Sequence, residues 1–215
     1  MNPVPFITER HDMSQSTTSA TPHRFAWRVV DIVVASVVGV ASGLLFVVWN
    51  IASNPVTDPL KAVLPGLQAL GGGFWLFAGV LTALIVRKPG AALFGELLAA
   101  TVSALIGNQW GVLTLLSGAV QGLGAELVFA AFLYANWRAG VAVLAGAGAG
   151  LAMAITDLTV WYPGSDTLFV VVYTISAVVG GALIAGLLSW LAVRGLARTG
   201  ALARFGAGRE IATRV

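Results

Sequence analysis

Two glutamates, Glu96 and Glu126, stand inside long apolar runs of this chain. A carboxylate taken out of water costs several kcal/mol unless it meets a cation or hydrogen-bond donors, so a greasy segment that keeps one has a use for it. Glu96 opens the stretch GELLAATVSALIGNQWG, residues 95–111, which ends in two amides and an indole: Asn108, Gln109 and Trp110. If the stretch is helical, Ser103 lies seven residues on and on the same face as Glu96. With a turn at 108–111, Glu96 lies ~16 Å below it and Gln121, on the next segment, ~15 Å below it. The two are therefore level. Glu126 lies ~22 Å down and ~140° round from Gln121. Two readings of Glu96 stay open: a hydrogen bond to Gln121 that ties two helices, or a group that receives a ligand. Glu126 is likewise either a ligand contact or a structural group. Asn50, Trp75, Asn108, Gln109, Trp110, Asp157, Trp161 and Tyr162 are expected to share one outer vestibule with Glu96 and Gln121. Indoles with carboxylates suit a flat, nitrogen-bearing ring that stacks and donates hydrogen bonds, or a ring carrying positive charge.

These groups need an apolar scaffold, and the composition supplies one. Of 215 residues, 58% are hydrophobic and 10% charged, with a mean hydropathy of +0.89. Soluble domains carry about 25% charged residues. The expected fold class is an all-α membrane protein, because the alternating short segments of a β-barrel are missing. Six apolar stretches, at 28–49, 69–86, 91–107, 112–134, 139–160 and 168–193, are long enough to be read as transmembrane helices. Alternating sides of the membrane along the chain collects eleven of the twelve basic residues on one face, leaving Lys61 on the other. The positive-inside rule then gives a six-helix bundle with both termini in the cytoplasm, N-in and C-in.

The expected organisation is a polar tail over 1–26, a membrane domain over 27–193 and a basic cytoplasmic tail over 194–215. No apolar run opens the N-terminus, so a cleaved signal peptide is not expected. Most of the seven tryptophans fall near segment ends, as an interfacial belt would. The glycines and alanines, as in GAGAG at 146–150, permit close helix packing. Asp31, three residues after Arg28, is read as a local ion pair or helix-start residue.

Several chemistries are excluded or disfavoured. With no cysteine, thiolate catalysis and Cys-bound metals are absent, and both histidines lie in the N-terminal tail. No metal, no cofactor and no catalytic residue is expected. There is no G-x-x-x-x-G-K-[ST] loop, so the chain is not expected to hydrolyse ATP, and no G-x-S-x-G or H-E-x-x-H motif points to a hydrolase. The high isoelectric point reflects residues at the membrane surface, and nucleic acid is not an expected partner. A binding protein with a mid-depth site remains; the rivals are a proton-coupled secondary transporter and a scaffold subunit that binds nothing.

The residues that carry a family likeness are Asp31-Ile32, Gly39, Trp49-Asn50, Arg87-Lys88-Pro89-Gly90, Gly95-Glu96, Gly107 to Gly111 and Gln121 to Glu126. Together they resemble the YkoE family, substrate-binding S components of energy-coupling factor (ECF) transporters associated with thiamine or its hydroxymethylpyrimidine precursor. The likeness runs from about Trp27 to Leu191 and is most specific over 87–126. It implies a vitamin ligand, with Glu96 meeting the aminopyrimidine and outer aromatics stacking on rings. It also implies partners: a transmembrane coupling protein and cytoplasmic ATPase subunits, in the cell membrane. Docking in such proteins commonly uses an Ala-x-x-x-Ala stripe on the first helix, and the corresponding stripe here is Ala35, Gly39 and Gly43.

The charge distribution generates a topology test. Because the chain lacks cysteine, single cysteines introduced at positions 109 and 138 report directly on sidedness. An impermeant thiol reagent applied to intact cells should label position 109 and spare 138; the reverse pattern refutes the orientation.

Overall fold

A computed structural model describes residues 25–203, 205, 207 and 208, and every element among them is helical. In chain order these are α1 (Val29–Val63), a 3-10 segment (Leu67–Trp75), α2 (Phe77–Val86), α3 (Ala91–Ile106), α4 (Leu113–Ala131) and α5 (Ala139–Val160). A last, nearly continuous helix follows as α6 (Thr167–Gly180), a π-helical stretch (Gly181–Leu188) and α7 (Ser189–Arg198). Four helices are long and apolar enough to cross a membrane: Val29–Val63, Leu113–Ala131, Ala139–Val160 and Thr167–Arg198. The 3-10 segment and α2, bent by 40°, make a fifth if taken as one broken span, and α3, at 16 residues, is a shorter apolar helix. Much of the N-terminal tail expected over 1–26 lies outside the described residues.

Two boundaries differ from the sequence expectation. The first helix runs past Trp49 to Val63 with Pro55 and Pro59 inside it. Proline removes a ladder donor, and here hydroxyls occupy the same turns: Ser53 Oγ donates to Asn50 O (3.3 Å) and Thr57 Oγ1 to Ser53 O (2.8 Å). At the other end, α7 passes position 194 unbroken, and Leu202, Phe205 and Ala207 beyond it are buried against the core. Within the described part of the expected C-terminal tail, Ala197, Leu202, Phe205 and Ala207 are thus buried while Leu196 stays exposed.

Small residues set the packing distances. The lipid-facing side of α1 carries Val33, Val37, Leu44 and Val48, all exposed, while its small residues turn inward. This corrects the docking assignment of Ala35, Gly39 and Gly43. All three are buried, and a Cβ on Gly43 would stand 2.6 Å from Val102 Cβ and 2.8 Å from Ala99 O of α3. At Gly39 it would meet the Leu98 side chain at 3.0 Å. The stripe is a seam inside the bundle: with no hydrophobic drive between helices in lipid, close van der Waals contact holds them, and only small residues permit it. The GAGAG stretch serves in the same way, with Gly146 and Gly150 backed against Gly181 and Ala177.

The start of α3 is held by a residue from another helix. Gly90, at φ +82°, turns the chain into α3. The Glu126 carboxylate on α4 then accepts N–H groups from Gly90 (2.6 Å), Ala92 (2.8 Å) and Leu93 (3.4 Å). Those are the donors that a helix start leaves unpaired, and an anion there also meets the positive end of the helix dipole. Tyr134 Oη donates to the same carboxylate at 2.8 Å, from a turn in which Leu133 and Tyr134 both have positive φ, 52° and 51°. Non-glycine residues seldom adopt that region, and the phenol bond helps to hold it. At the same end, Trp27 Nε1 donates to Pro89 O (2.9 Å), and Arg28 grips the buried Asp31 through two side-chain bonds of 2.7 and 3.0 Å.

Glu126→Ala should therefore destabilise the bundle by about 2–4 kcal/mol, since several buried donors lose their acceptor together. Thermal unfolding in detergent checks this, with Glu126→Gln expected to lose less. A melting temperature unchanged in the alanine variant would remove Glu126 from this role.

Candidate functional site

A cavity of about 350 Å³ lies within the bundle and is lined from α1, the 3-10 segment, α3, α4, α5 and α6. Glu96 lines it and is 1% exposed. Its Oε2 accepts the backbone N–H of Gly79 at 2.7 Å, whereas Oε1 has no partner. Glycine at 79 and 122 lets the chain close around this side chain, since a Cβ at either would stand 3.2 or 3.0 Å from Glu96 Cβ. Gln121 also lines the cavity. The hydrogen bond that Glu96 accepts comes from Gly79 of α2 and not from Gln121, so it is not the helix tie that the sequence left open.

Above Glu96 a relay of hydrogen bonds fixes one wall. Trp75 Nε1 donates to Asn50 Oδ1 (2.8 Å), and Asn50 Nδ2 donates to Ser103 Oγ (3.1 Å). The amide thus satisfies an indole from the 3-10 segment and a hydroxyl from α3. Trp110 meets Trp75 edge to face at 5.4 Å, and Trp75 in turn lies 6.1 Å from Trp49. From α5 and α6, Tyr173 Oη donates to Asp157 Oδ2 at 2.7 Å, and Tyr162 packs on Tyr173 at 5.3 Å. Phe46 and Met153 add apolar lining to these polar groups.

Nine of the eleven residues expected at the site line this cavity: Asn50, Trp75, Glu96, Gln109, Trp110, Gln121, Asp157, Trp161 and Tyr162. The structure places two elsewhere. Asn108 shapes the turn between α3 and α4: its Oδ1 accepts from Trp110 N, Gly111 N and Thr114 Oγ1 at 2.9, 2.9 and 3.0 Å, and its Nδ2 reaches Ser103 at 3.3 Å. Glu126 is spent on the start of α3, as described above, and does not line the cavity.

Sequence reasoning missed several lining residues. Ser53, Asn54 and Thr57 line the cavity from the part of α1 that lies beyond the apolar stretch expected over 28–49. Their spacing with Asn50 is 3, 4 and 7, one face of a helix, and that pattern was available. Gln68 and Tyr173 also line it, and the Gly79 N–H holds Glu96. A backbone donor leaves no trace in side-chain identity.

A membrane-embedded helical bundle around a polar and aromatic cavity defines the class: a small-molecule transport or binding protein of the membrane. Residues 30–152 match the family model described as "ABC-type cobalt transport system, permease component". The chain is 33% identical over 187 residues to YkoE of Bacillus subtilis (strain 168), named as an HMP/thiamine permease protein, covering 86% of this chain and 92% of that one. It is also similar to a solved structure titled "Crystal structure of an S-component of ECF transporter", with a TM-score of 0.80 and 32% identity over 88% of this chain and 95% of that chain. This chain belongs to the YkoE family of transport permeases, and it is a multi-pass protein of the cell membrane.

The relay predicts a measurable coupling between its members. Asn50→Ala removes the acceptor of the Trp75 indole and the donor to Ser103 together, at a cost of about 1–3 kcal/mol for groups left unpaired. The melting temperature should fall, and a protein that keeps Trp75 as its only tryptophan should lose fluorescence anisotropy on the same substitution. Unchanged anisotropy would mean that packing alone holds the ring.

Proposed function

We propose that this chain is the substrate-binding subunit of an ECF-type importer, which takes thiamine or hydroxymethylpyrimidine (HMP) from outside the cell. The single observation that carries the ligand class is Glu96, a buried carboxylate on the cavity wall with one oxygen held by Gly79 and the other unpartnered. A bare carboxylate oxygen in such a place demands a donor. An aminopyrimidine brings one, its exocyclic amino group, next to ring nitrogens that accept from an amide such as Gln121. Trp75 and Trp110 offer faces for a flat ring, and Asp157 with Trp161 and Tyr162 suits a positively charged second ring. Asn50 and Gln109 complete the proposed contact set. The name of the Bacillus relative points to the same ligands.

The proposed topology is six crossings with both termini in the cytoplasm, counting the bent pair and α3 as one crossing each. It draws support from the gathering of Arg87, Arg138 and Arg194 around one cavity, opposite the end at which Lys61 closes α1. The membrane part is proposed to run over 27–193, its last helix extending to Arg198. Release into the cytoplasm is assigned to a transmembrane coupling protein driven by cytoplasmic ATPases, because this chain carries no ATP-binding loop.

Glu96→Gln keeps the shape and removes the charge. It should weaken binding by about 1.5–3 kcal/mol, the worth of a charge-assisted hydrogen bond. Tryptophan fluorescence titrated with HMP and with thiamine measures this, with thermal unfolding as the check on folding. Affinity within twofold of the parent in a folded variant would sink the assignment of Glu96 to the ligand.

A further inference from the structure

The basic end of the bundle holds a second cavity, of about 400 Å³, that the proposed vitamin site does not use. Its floor includes the buried side chains of Leu84 and Val193. Arg87, Arg138 and Arg194 bring three guanidinium groups to it from the end of α2, the start of α5 and α7. Trp137 and Trp190 line it between them. The parts are held in place: Arg194 lies over the Trp190 ring at 4.6 Å, Arg87 over Trp137 at 5.8 Å, and Trp137 stacks on Phe129 at 4.9 Å. Among the described residues no Asp or Glu lines this cavity.

The guanidinium groups of Arg138 and Arg194, brought to one concavity with no Asp or Glu among its described lining residues, favour an anion, and their planar donors match phosphate oxygens. Three further features select the kind of anion. The floor is apolar, the indoles are of the type that sits at the headgroup level, and the helices beside the cavity span the membrane. A small free anion uses none of these. The geometry points to a binding site for the phosphate headgroup of an anionic phospholipid, with Arg138 and Arg194 as its ligands. Basic pockets between membrane helices bind anionic headgroups in this way. With the orientation proposed above, the lipid belongs to the cytoplasmic leaflet, but occupancy of the site does not depend on that orientation.

The test uses the full-length protein in mixed micelles with phosphatidylglycerol and phosphatidylcholine at equal concentrations, and native mass spectrometry to count retained lipid. The parent should retain phosphatidylglycerol in preference. Arg138→Gln/Arg194→Gln should lose that preference by about tenfold or more, since each basic residue near a headgroup is worth about a factor of five. Arg198→Gln, on the same helix but outside the cavity, should keep it, and Arg138→Gln alone should show a partial loss even if the double variant fails to fold. Equal retention of the two lipids by the parent, or an unchanged preference in the folded double variant, overturns the proposal. Displacement of phosphatidylglycerol by equimolar inorganic phosphate would make this a free-anion site. Loss of co-purification with a coupling complex, with lipid preference intact, would make it a protein-docking patch. Either outcome also overturns the proposal.

Discussion

The carboxylate of Glu126 fastens the start of α3, and α3 is the element on which the cavity depends. Through Gly90, Ala92 and Leu93 it supplies an acceptor for donors that a helix start cannot pair internally. In an apolar bundle such donors are costly to leave unpaired. Once α3 is anchored, Glu96 and Ser103 on its inner face line the cavity, and the same face meets α1 and α4. One acidic side chain thus fixes the position of the other.

That division also explains why two carboxylates in similar apolar runs have different surroundings. Glu126 has its oxygens occupied by three backbone N–H groups and the Tyr134 phenol, and nothing is left over for a ligand. Glu96 has one backbone donor and one bare oxygen. A fully satisfied carboxylate is a structural joint, and a half-satisfied one beside a cavity retains a binding capacity. The proposed role of Glu96 rests on this difference in hydrogen bonding, since both side chains are equally rare for their setting.

Helix approach is governed by residues with almost no side chain. Gly43 against Val102 and Ala99, Gly122 against Leu93, and Gly146 against Gly181 bring backbones to distances that a Cβ would block. A small-residue stripe on a membrane helix therefore has two possible uses, an internal seam or an external docking face. On α1 the seam uses it. The outward face keeps exposed valines and leucines.

The sequence by itself determined the class of this protein, because a charge content of 10% and runs of about twenty apolar residues admit few folds besides a helical membrane bundle. It also reached nine of the residues that line the cavity, among them Glu96, Gln121, Trp75, Trp110, Asp157 and Tyr162. Local rules reached the Arg28–Asp31 pair as well, since its partners are one helical turn apart. What only the tertiary structure decided is where polar atoms from distant segments meet. Glu126 reaches Gly90 across 36 positions, Trp75 reaches Asn50 across 25, and Glu96 finds a backbone donor at Gly79. The face that the Ala35, Gly39 and Gly43 stripe turns toward was of the same kind. Periodicity says that such residues share a face, but which neighbour that face meets is set by how the helices pack, and no single helix contains that information.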